Sequence, residues 1–384
     1  MRVARASALG QHFARTLFSK RAHWTAPLNA LTVARQAHRG PLFDLTETNP
    51  TRAGIAYPHD ALQEALARGA RAAYDPDPRG IRSAREAVAE HLDCDAADLL
   101  LTSSTSEAYS FLFKLLTDPG DAILTATPSY PLLEHLASME LVTLRSFPLE
   151  FHRRWELGLV PPDPAVRAIV VVNPNNPTGS YVTVAEQDAL AAHGIPLISD
   201  EVFLEYPLEG NGLTFVREDI LTFTLGGLSK SAGLPHFKLG WIRVSGPGKE
   251  AALDALELIA DNFLSVATPV QAALPELLQI GATIRAAISH RTRTNLARLQ
   301  HALRDVPSAR VLPVEGGWSA VIRVPRVMTD EELALALLAR GVLVQPGYFF
   351  DFERDGYLVV SLLTEEETFA AGAATFVAAA RELW

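Results

Sequence analysis

The sequence predicts an α/β protein, with a large domain built on a mostly parallel, doubly wound sheet and a smaller α/β lobe at the C-terminus. Between residues 99 and 225, short apolar runs alternate with helical patterns and with breaks rich in Pro, Gly and Asn. Continuous β-branched runs of this kind are typical of parallel strands that are covered on both faces. A second set of strand-like runs after residue 310 predicts the smaller lobe. The first set comprises 122–124, 168–172, 196–198 and 221–225, and the second comprises 320–324, 341–344 and 357–361.

Three segments are predicted along the chain. Residues 1–44 form an N-terminal arm and part of the small lobe, residues 45–280 the large domain, and residues 281–384 the small domain. The arm is basic, with no acidic residue before Asp44, and we interpret it as a docking arm rather than an organelle transit peptide. Ile81, Val88 and Leu92 lie at helical spacing and predict an amphipathic helix within 79–92.

Composition excludes several classes of protein. The 384 residues are 48% hydrophobic and 20% charged, which is ordinary for a globular chain. The formal net charge of −10 disfavours a nucleic-acid partner, which requires a basic surface. No apolar run reaches the roughly 18 residues of a membrane span, so no membrane partner is expected. The single cysteine, Cys94, cannot form an internal disulfide, which favours a reducing compartment and a cytoplasmic location.

Three motifs follow three of the predicted strands. They are Asn173-Pro174-Asn175-Asn176-Pro177-Thr178-Gly179, Ser199-Asp200-Glu201-Val202-Phe203, and Lys230. Ligands of such sheets collect beyond the carboxyl ends of the strands, so we expect these motifs to converge there. Lysine is the amine nucleophile that forms a Schiff base with an aldehyde cofactor and later moves a proton, whereas a lone lysine is by default a surface residue. Glycines before Lys230 and Leu234-Pro235 after it predict a loop.

The order and spacing of these motifs resemble a known family. Asn176 and Asp200 are 24 positions apart (176 to 200), and Asp200 and Lys230 are 30 apart (200 to 230). This pattern resembles the class I/II aminotransferases of the fold type I pyridoxal phosphate superfamily, from about Leu45 to the C-terminus. The resemblance implies a pyridoxal 5′-phosphate cofactor, a homodimer, and small-molecule substrates, namely an amino donor and a keto acid or aldehyde acceptor. No metal site is predicted.

The resemblance also implies roles for residues around the cofactor ring. Lys230 would carry the cofactor, and Asp200 would hold a proton on the pyridine nitrogen; the alternative for an aspartate at this place is a helix cap. Asn176 would donate to the 3′-oxygen, whereas Asn175 is interpreted as a turn residue. Phe203 stands where the family commonly has a tyrosine, so it would pack without donating a hydrogen bond.

A phosphate site is expected where a helix begins. Ser104, Thr105 and Ser106 follow a strand-like run, and the amides of a helix N-terminus bind phosphate. Ordinary helix capping is the alternative. The resemblance adds Ser229 and Lys238, with two departures: the family usually has glycine at Ser104 and arginine at Lys238.

Two tyrosines complete the expected cofactor site. Tyr130, in Thr127-Pro128-Ser129-Tyr130-Pro131, matches the aromatic residue that stacks on the pyridine ring. Tyr74 matches the tyrosine that reaches across a two-fold interface to the neighbour's phosphate. A monomer would then have an incomplete site.

The substrate site departs most from the family pattern. Relatives place an arginine in a C-terminal strand, where it binds the substrate α-carboxylate through two hydrogen bonds. Aligning the chain on Ser361 puts Val359 at that position. Arg52 is a candidate replacement, and Arg323 and Arg354 are others from the small lobe; each is equally interpreted as a solvated surface residue. We therefore expect poor handling of common α-amino acids.

Two alternatives to an aminotransferase stay open at this point. A carbon–sulfur lyase or a decarboxylase would use the same cofactor motifs, because these reactions differ only in which bond to the α-carbon is broken. A regulatory protein that retains the fold without catalysis would need a DNA-binding segment. Neither the net negative charge of the chain nor the 44 residues before the core provide such a segment.

Overall fold

The computed structural model describes residues 18–22 and 27–384. Its large domain contains an eight-stranded sheet. The strands are β2 (Leu99–Thr102), β3 (Ala122–Thr127), β4 (Thr143–Phe151), β5 (Trp155–Leu157), β6 (Val166–Val172), β7 (Leu197–Asp200), β8 (Thr222–Gly227) and β9 (Gly240–Ser245). Their order in the sheet is β2-β9-β8-β7-β6-β3-β4-β5. Strands β4, β3, β6, β7 and β8 are successively parallel, whereas β9 runs antiparallel to both of its neighbours. The predicted α/β fold with a mostly parallel sheet is confirmed.

Helices cover both faces of this sheet. They are α2 (His59–Gly69), α3 (Arg82–Leu92), α4 (Thr105–Leu116), α5 (Leu132–Met139), α6 (Val184–Ala191), α7 (Leu228–Ser231), α8 (Lys249–Asp261) and α9 (Thr268–Ala272). In β6, Val170 belongs to the apolar cluster on one face, and Ile169 and Val171 belong to the cluster on the other. A strand that buries both faces needs apolar residues at consecutive positions, which explains the uninterrupted run in the sequence.

The small lobe is a four-stranded antiparallel sheet with helices packed on it. Its strand order is β10-β11-β14-β13, formed by β10 (Arg310–Val311), β11 (Ser319–Arg323), β13 (Gln345–Pro346) and β14 (Tyr357–Ser361). The helices are α10 (Leu274–Leu303), α11 (Asp330–Ala339) and α12 (Glu366–Leu383). The N-terminal region adds α1 (Ala30–Ala37) and β1 (Phe43–Asp44), which pairs in parallel with β12 (Val342–Leu343).

Helix α10 belongs to both lobes. Its first half contributes Leu277 and Ile284 to a core cluster of the large domain, and its second half contributes Leu299 to the core of the small lobe. The expected boundary between residues 280 and 281 lies inside this continuous helix. The domain limits therefore stay predictions.

The described part of the arm contacts the body of the protein. Arg21 donates a hydrogen bond of 2.7 Å to the carbonyl of Met139 at the end of α5. Residues 1–17 and 23–26, and part of the predicted basic arm with them, lie outside the described residues. Within the described ranges, no helix is both long and apolar enough to cross a membrane.

Candidate active site

Lys230 lies in α7, directly after β8. The sequence predicted a loop here, but the structure forms a single helical turn that begins after Gly227 and is followed by Gly233 in the left-handed region. The Tyr206 hydroxyl donates to the carbonyl of Lys230 at 2.6 Å. This bond fixes the backbone that carries the amine.

The Lys230 amine faces two aromatic rings. Its Nζ is 5.2 Å from the ring centre of Trp318 and 5.6 Å from that of Phe203. The two rings meet edge to face, with their centres 5.2 Å apart. Burial lowers the pKa of Lys230, although the charge of Asp200 acts in the opposite direction. A larger neutral fraction makes the amine a better nucleophile.

Asp200 is the last residue of β7 and is buried. Its Oδ1 accepts from the Val202 amide at 3.2 Å, and its Oδ2 accepts from the Tyr109 hydroxyl at 3.0 Å. Burial raises the pKa of Asp200, while the two hydrogen bonds and the charge of Lys230 lower it. The carboxyl ends of β7 and β8 are adjacent, so the acid and the amine share one edge of the sheet.

Asn176 lies at the same edge, in the loop after β6. Its Oδ1 accepts from the Ser319 hydroxyl of the small lobe at 3.2 Å. Because Oδ1 is the acceptor in this bond, the Asn176 Nδ2 group can donate to a ligand. The neighbouring Asn175 is buried, and its side chain bonds Thr178 in its own loop and Pro128 and Ser129 in the loop after β3, which agrees with a structural role.

Tyr130 also lies within electrostatic reach of Asp200. Burial is the main cause that raises the pKa of Tyr130, and the charge of Asp200 raises it further. The backbone before Tyr130 is fixed, because Ser129 donates its hydroxyl to Asn175 and its amide to the carbonyl of Phe350. Tyr130 is 48% exposed, so its ring is accessible to a ligand.

The expected phosphate site lies at the N-terminus of α4. Ser104 is the N-cap, and its hydroxyl accepts from the Glu107 amide at 3.3 Å. The amides of Thr105 and Ser106 have no acceptor within the described residues, so they are available to an anion.

Gly240, the first residue of β9, lies between the start of α4 and the end of β8. A Cβ on Gly240 would stand 3.1 Å from the carbonyl carbon of Ser104 and 3.1 Å from the carbonyl oxygen of Gly226. Contacts this short are rare for a real side chain. The absence of a Cβ at this position therefore brings the start of α4 next to the end of β8.

Lys238 and Ser229 lie in the segments next to the end of β8. The Leu228 amide bonds the carbonyl of Leu239 at 3.0 Å, which keeps the segment around Lys238 beside the start of α7. Lys238 is exposed and has φ of 52°, a left-handed conformation that is uncommon outside glycine. Tyr74 is 74% exposed and lines a surface cavity together with Leu264 and Ser265.

The structure places no arginine at the position of Val359. Val359 is 1% exposed and pairs with Val321 and Gln345 on the neighbouring strands, so its flanking residues are uncharged. The Arg52 side chain is 72% exposed and lies 3.5 Å from the Glu47 carboxylate. Arg323 and Arg354 are exposed as well.

Comparison with known proteins assigns the family. A family model for aminotransferase class I and II matches residues 43–371. The chain belongs to the class I and II aminotransferase family. It is therefore an aminotransferase-type enzyme, as the motif order predicted.

Related sequences and structures agree with this assignment. The chain is 33% identical over 243 residues to nicotianamine aminotransferase 1 of Oryza sativa subsp. japonica, covering 57% of this chain but only 49% of the rice protein. It is 25% identical over 370 residues to an alanine aminotransferase of Mycobacterium tuberculosis, covering 89% of this chain and 86% of the relative. The solved alanine aminotransferase from Pyrococcus furiosus superposes with a TM-score of 0.84 at 21% identity, covering 95% of this chain and 100% of that chain, which shows a shared fold.

Four residues of this candidate site were missed by the sequence analysis. They are Tyr109, Tyr206, Trp318 and Ser319, which contact Asp200, Lys230 and Asn176. Tyr109 lies in an apolar helix, where a tyrosine is indistinguishable from a core residue. Trp318 follows Gly316-Gly317, and an aromatic residue after two glycines was the only signal available.

Proposed function

We propose that this chain is a pyridoxal 5′-phosphate-dependent aminotransferase that converts an amino donor and a keto acid or aldehyde acceptor. The observation that carries the proposal is the pair formed by Lys230 and Asp200 at one edge of the sheet. Their charges interact, and burial makes the lysine less basic and the acid less acidic than usual. Perturbed amine and carboxyl groups that converge in a cleft are typical of a catalytic site.

The residues at this edge fit such a cofactor. A buried carboxylate matches a pyridinium nitrogen, a half-buried amine matches an aldehyde, and the free amides of Thr105 and Ser106 match a phosphate. When bound, the cofactor supplies an aldehyde for covalent attachment and a ring that accepts electrons from the substrate α-carbon.

Each residue then has a defined task. Lys230 would bind the cofactor and would afterwards carry the proton to and from the substrate α-carbon. Asp200 would hold the proton at the ring nitrogen, and Asn176 Nδ2 would donate to the 3′-oxygen. Tyr130 and Phe203 would pack against the ring. The phosphate would be held by Ser104, Thr105, Ser106, Ser229 and Lys238.

A homodimer is part of the proposal. Within the described residues, the Tyr74 hydroxyl makes no hydrogen bond, and an apolar patch includes its ring. The patch consists of Tyr74 and Leu264, which line one surface cavity, and of Phe263, which packs on Phe111 of the same cavity; they are 74%, 37% and 53% exposed. A second copy of the chain that covers this patch would bury apolar surface and bring Tyr74 to the partner's phosphate.

The substrate is proposed to be something other than a common α-amino acid. A carboxylate in a closed site needs a cation, because an unpaired buried charge costs several kcal/mol. Val359 and its strand neighbours provide none, and Arg52 is already beside Glu47. An amine, a modified amino acid, or an amino acid recognised through its side chain fits this site better. The names of the relatives, alanine and nicotianamine aminotransferases, are too different from each other to specify the donor.

A cytoplasmic location is also proposed, on the basis of the single cysteine.

A panel assay tests the reaction type. The holoprotein is mixed with amino acids and ω-amines, and keto acid, pyruvate with ammonia, and carbon dioxide are measured separately. Keto acid or aldehyde formed in proportion to aminated acceptor supports transamination. Pyruvate with ammonia would instead identify a lyase, and carbon dioxide a decarboxylase.

A further inference from the structure

Asp200 has a hydrogen-bond partner, Tyr109, to which the proposed function gives no role. Its Oδ2 accepts a hydrogen bond from the Tyr109 hydroxyl, 3.0 Å away and 91 positions earlier in the chain. Tyr109 is 6% exposed and lies in the apolar cluster between α4 and the sheet, with its ring centre 5.9 Å from that of Phe113. The phenol is therefore a polar group in an apolar layer, aimed at one carboxylate.

The direction of this bond follows from the surroundings. Within the described residues, the Tyr109 hydroxyl has no partner other than Asp200. Burial and the Asp200 charge both raise the pKa of Tyr109, so the phenol keeps its proton and donates it. The Val202 amide donates to the other oxygen. Both donors favour the ionised carboxylate against the burial that disfavours it.

Helix α4 connects this bond to the other end of the site. Tyr109 lies four positions, about one turn, after Thr105, whose free amide belongs to the expected phosphate site. One helix would thus position the phosphate group and, through Tyr109, the carboxylate that would face the pyridine nitrogen. A phenol suits this task because it does not change charge near neutral pH, unlike an imidazole.

We propose that Tyr109 is a positioning residue that keeps Asp200 ionised and oriented. The proton between the Asp200 carboxylate and the cofactor ring nitrogen would then stay on the nitrogen. This inference rests on the proposed cofactor role of Asp200. It assigns to Tyr109 a function beyond filling the core.

The test uses pyridoxal phosphate labelled with ¹⁵N in the ring and three proteins that differ at residue 109. They are the wild type, Tyr109→Phe, and a protein with 3-fluorotyrosine at residue 109, which is a stronger donor of nearly the same volume. We expect the ring ¹⁵N resonance of Tyr109→Phe to move toward the unprotonated position and that of the fluorinated protein to move the opposite way. A response in this order follows the donor strength of the phenol, which a packing role would not produce.

Cofactor affinity gives a second readout. Tyr109→Phe is expected to bind pyridoxal phosphate about tenfold more weakly, the scale of one hydrogen bond to a charged group. Tyr181→Phe is the matched control: its hydroxyl donates to the carbonyl of Leu204, and its affinity should change less than about twofold. Circular dichroism checks that each variant folds. If Tyr109→Phe does not fold, the fluorinated protein alone decides.

Two outcomes would overturn the inference, and they are distinguishable. If the cofactor attaches at Lys230 but the ring nitrogen does not respond to residue 109, or responds in another order, Tyr109 is only a core residue and the proposed function stands. If the wild type takes up no pyridoxal phosphate, the proposed function fails and the inference fails with it.

Discussion

Replacing Phe203 by tyrosine is expected to lower the pKa of the proton held between Lys230 Nζ and the 3′-oxygen of bound pyridoxal phosphate. In the wild type, Asn176 Nδ2 is the donor left to stabilise the 3′-oxyanion, because Ser319 occupies the other side of the amide. The Phe203 ring centre is 5.6 Å from Lys230 Nζ, and the tyrosine that the family commonly has at this position would donate to the same oxygen. A second donor favours the deprotonated form, and the pKa falls.

The size of the effect follows from the strength of one bond. A hydrogen bond to a charged group contributes about 1.5 to 3 kcal/mol, and 1.36 kcal/mol corresponds to one pKa unit. Phe203 is only half-buried, and water weakens the bond, so we expect a decrease of about one unit.

The assay is a spectrophotometric titration of the holoprotein. Phe151→Tyr, a hydroxyl added on the hairpin at the far edge of the sheet, should leave the pKa unchanged. Ser319→Ala should raise it, because the Asn176 amide loses the bond that orients it. An unchanged or raised pKa in Phe203→Tyr would refute the geometry proposed for Phe203 and Asn176.

Three other outcomes are expected. Lys230→Ala should abolish turnover while the protein still folds and binds the cofactor loosely through its phosphate and ring contacts; a variant with substantial turnover would show that another amine carries the reaction. Tyr74→Phe should weaken cofactor affinity by about 1 kcal/mol, the scale of one hydrogen bond, and the wild type should sediment as a dimer; a fully active monomer would contradict the shared site. In single-turnover reactions, glutamate, alanine and aspartate should react slowly and without saturation at micromolar concentration, because the position of Val359 lacks a cation. Rapid saturable conversion of any of them would show that the carboxylate is well bound, and Arg52→Ala would then be the first variant to examine.

The sequence predicted those parts of the site that follow from strand order. Asn176, Asp200 and Lys230 each come after a buried run, and the carboxyl ends of parallel strands meet at one edge of a sheet. Their convergence is therefore a consequence of chain direction. The start of α4 was predictable for a similar reason, because a run of serine and threonine after a strand is a common helix start.

The remaining contacts depend on packing between distant segments. Tyr109 reaches Asp200 because α4 lies across the sheet at one particular register, and the apolar pattern of that helix is compatible with other registers. Trp318 and Ser319 reach Lys230 and Asn176 only through the placement of the small lobe. The helical turn at Lys230 has four residues, which is too short for a periodic signal, so its glycine and proline flanks indicated a loop.

Borohydride reduction of the holoprotein, followed by peptide mapping, tests the central claim most directly. Reduction makes the bond between the cofactor and its lysine permanent, and the labelled peptide identifies that lysine. We predict a single labelled site at Lys230, in the peptide that contains Leu228-Ser229-Lys230-Ser231. Label on any other lysine, or no label after uptake of pyridoxal phosphate, would contradict the assignment of Lys230 as the residue that carries the cofactor.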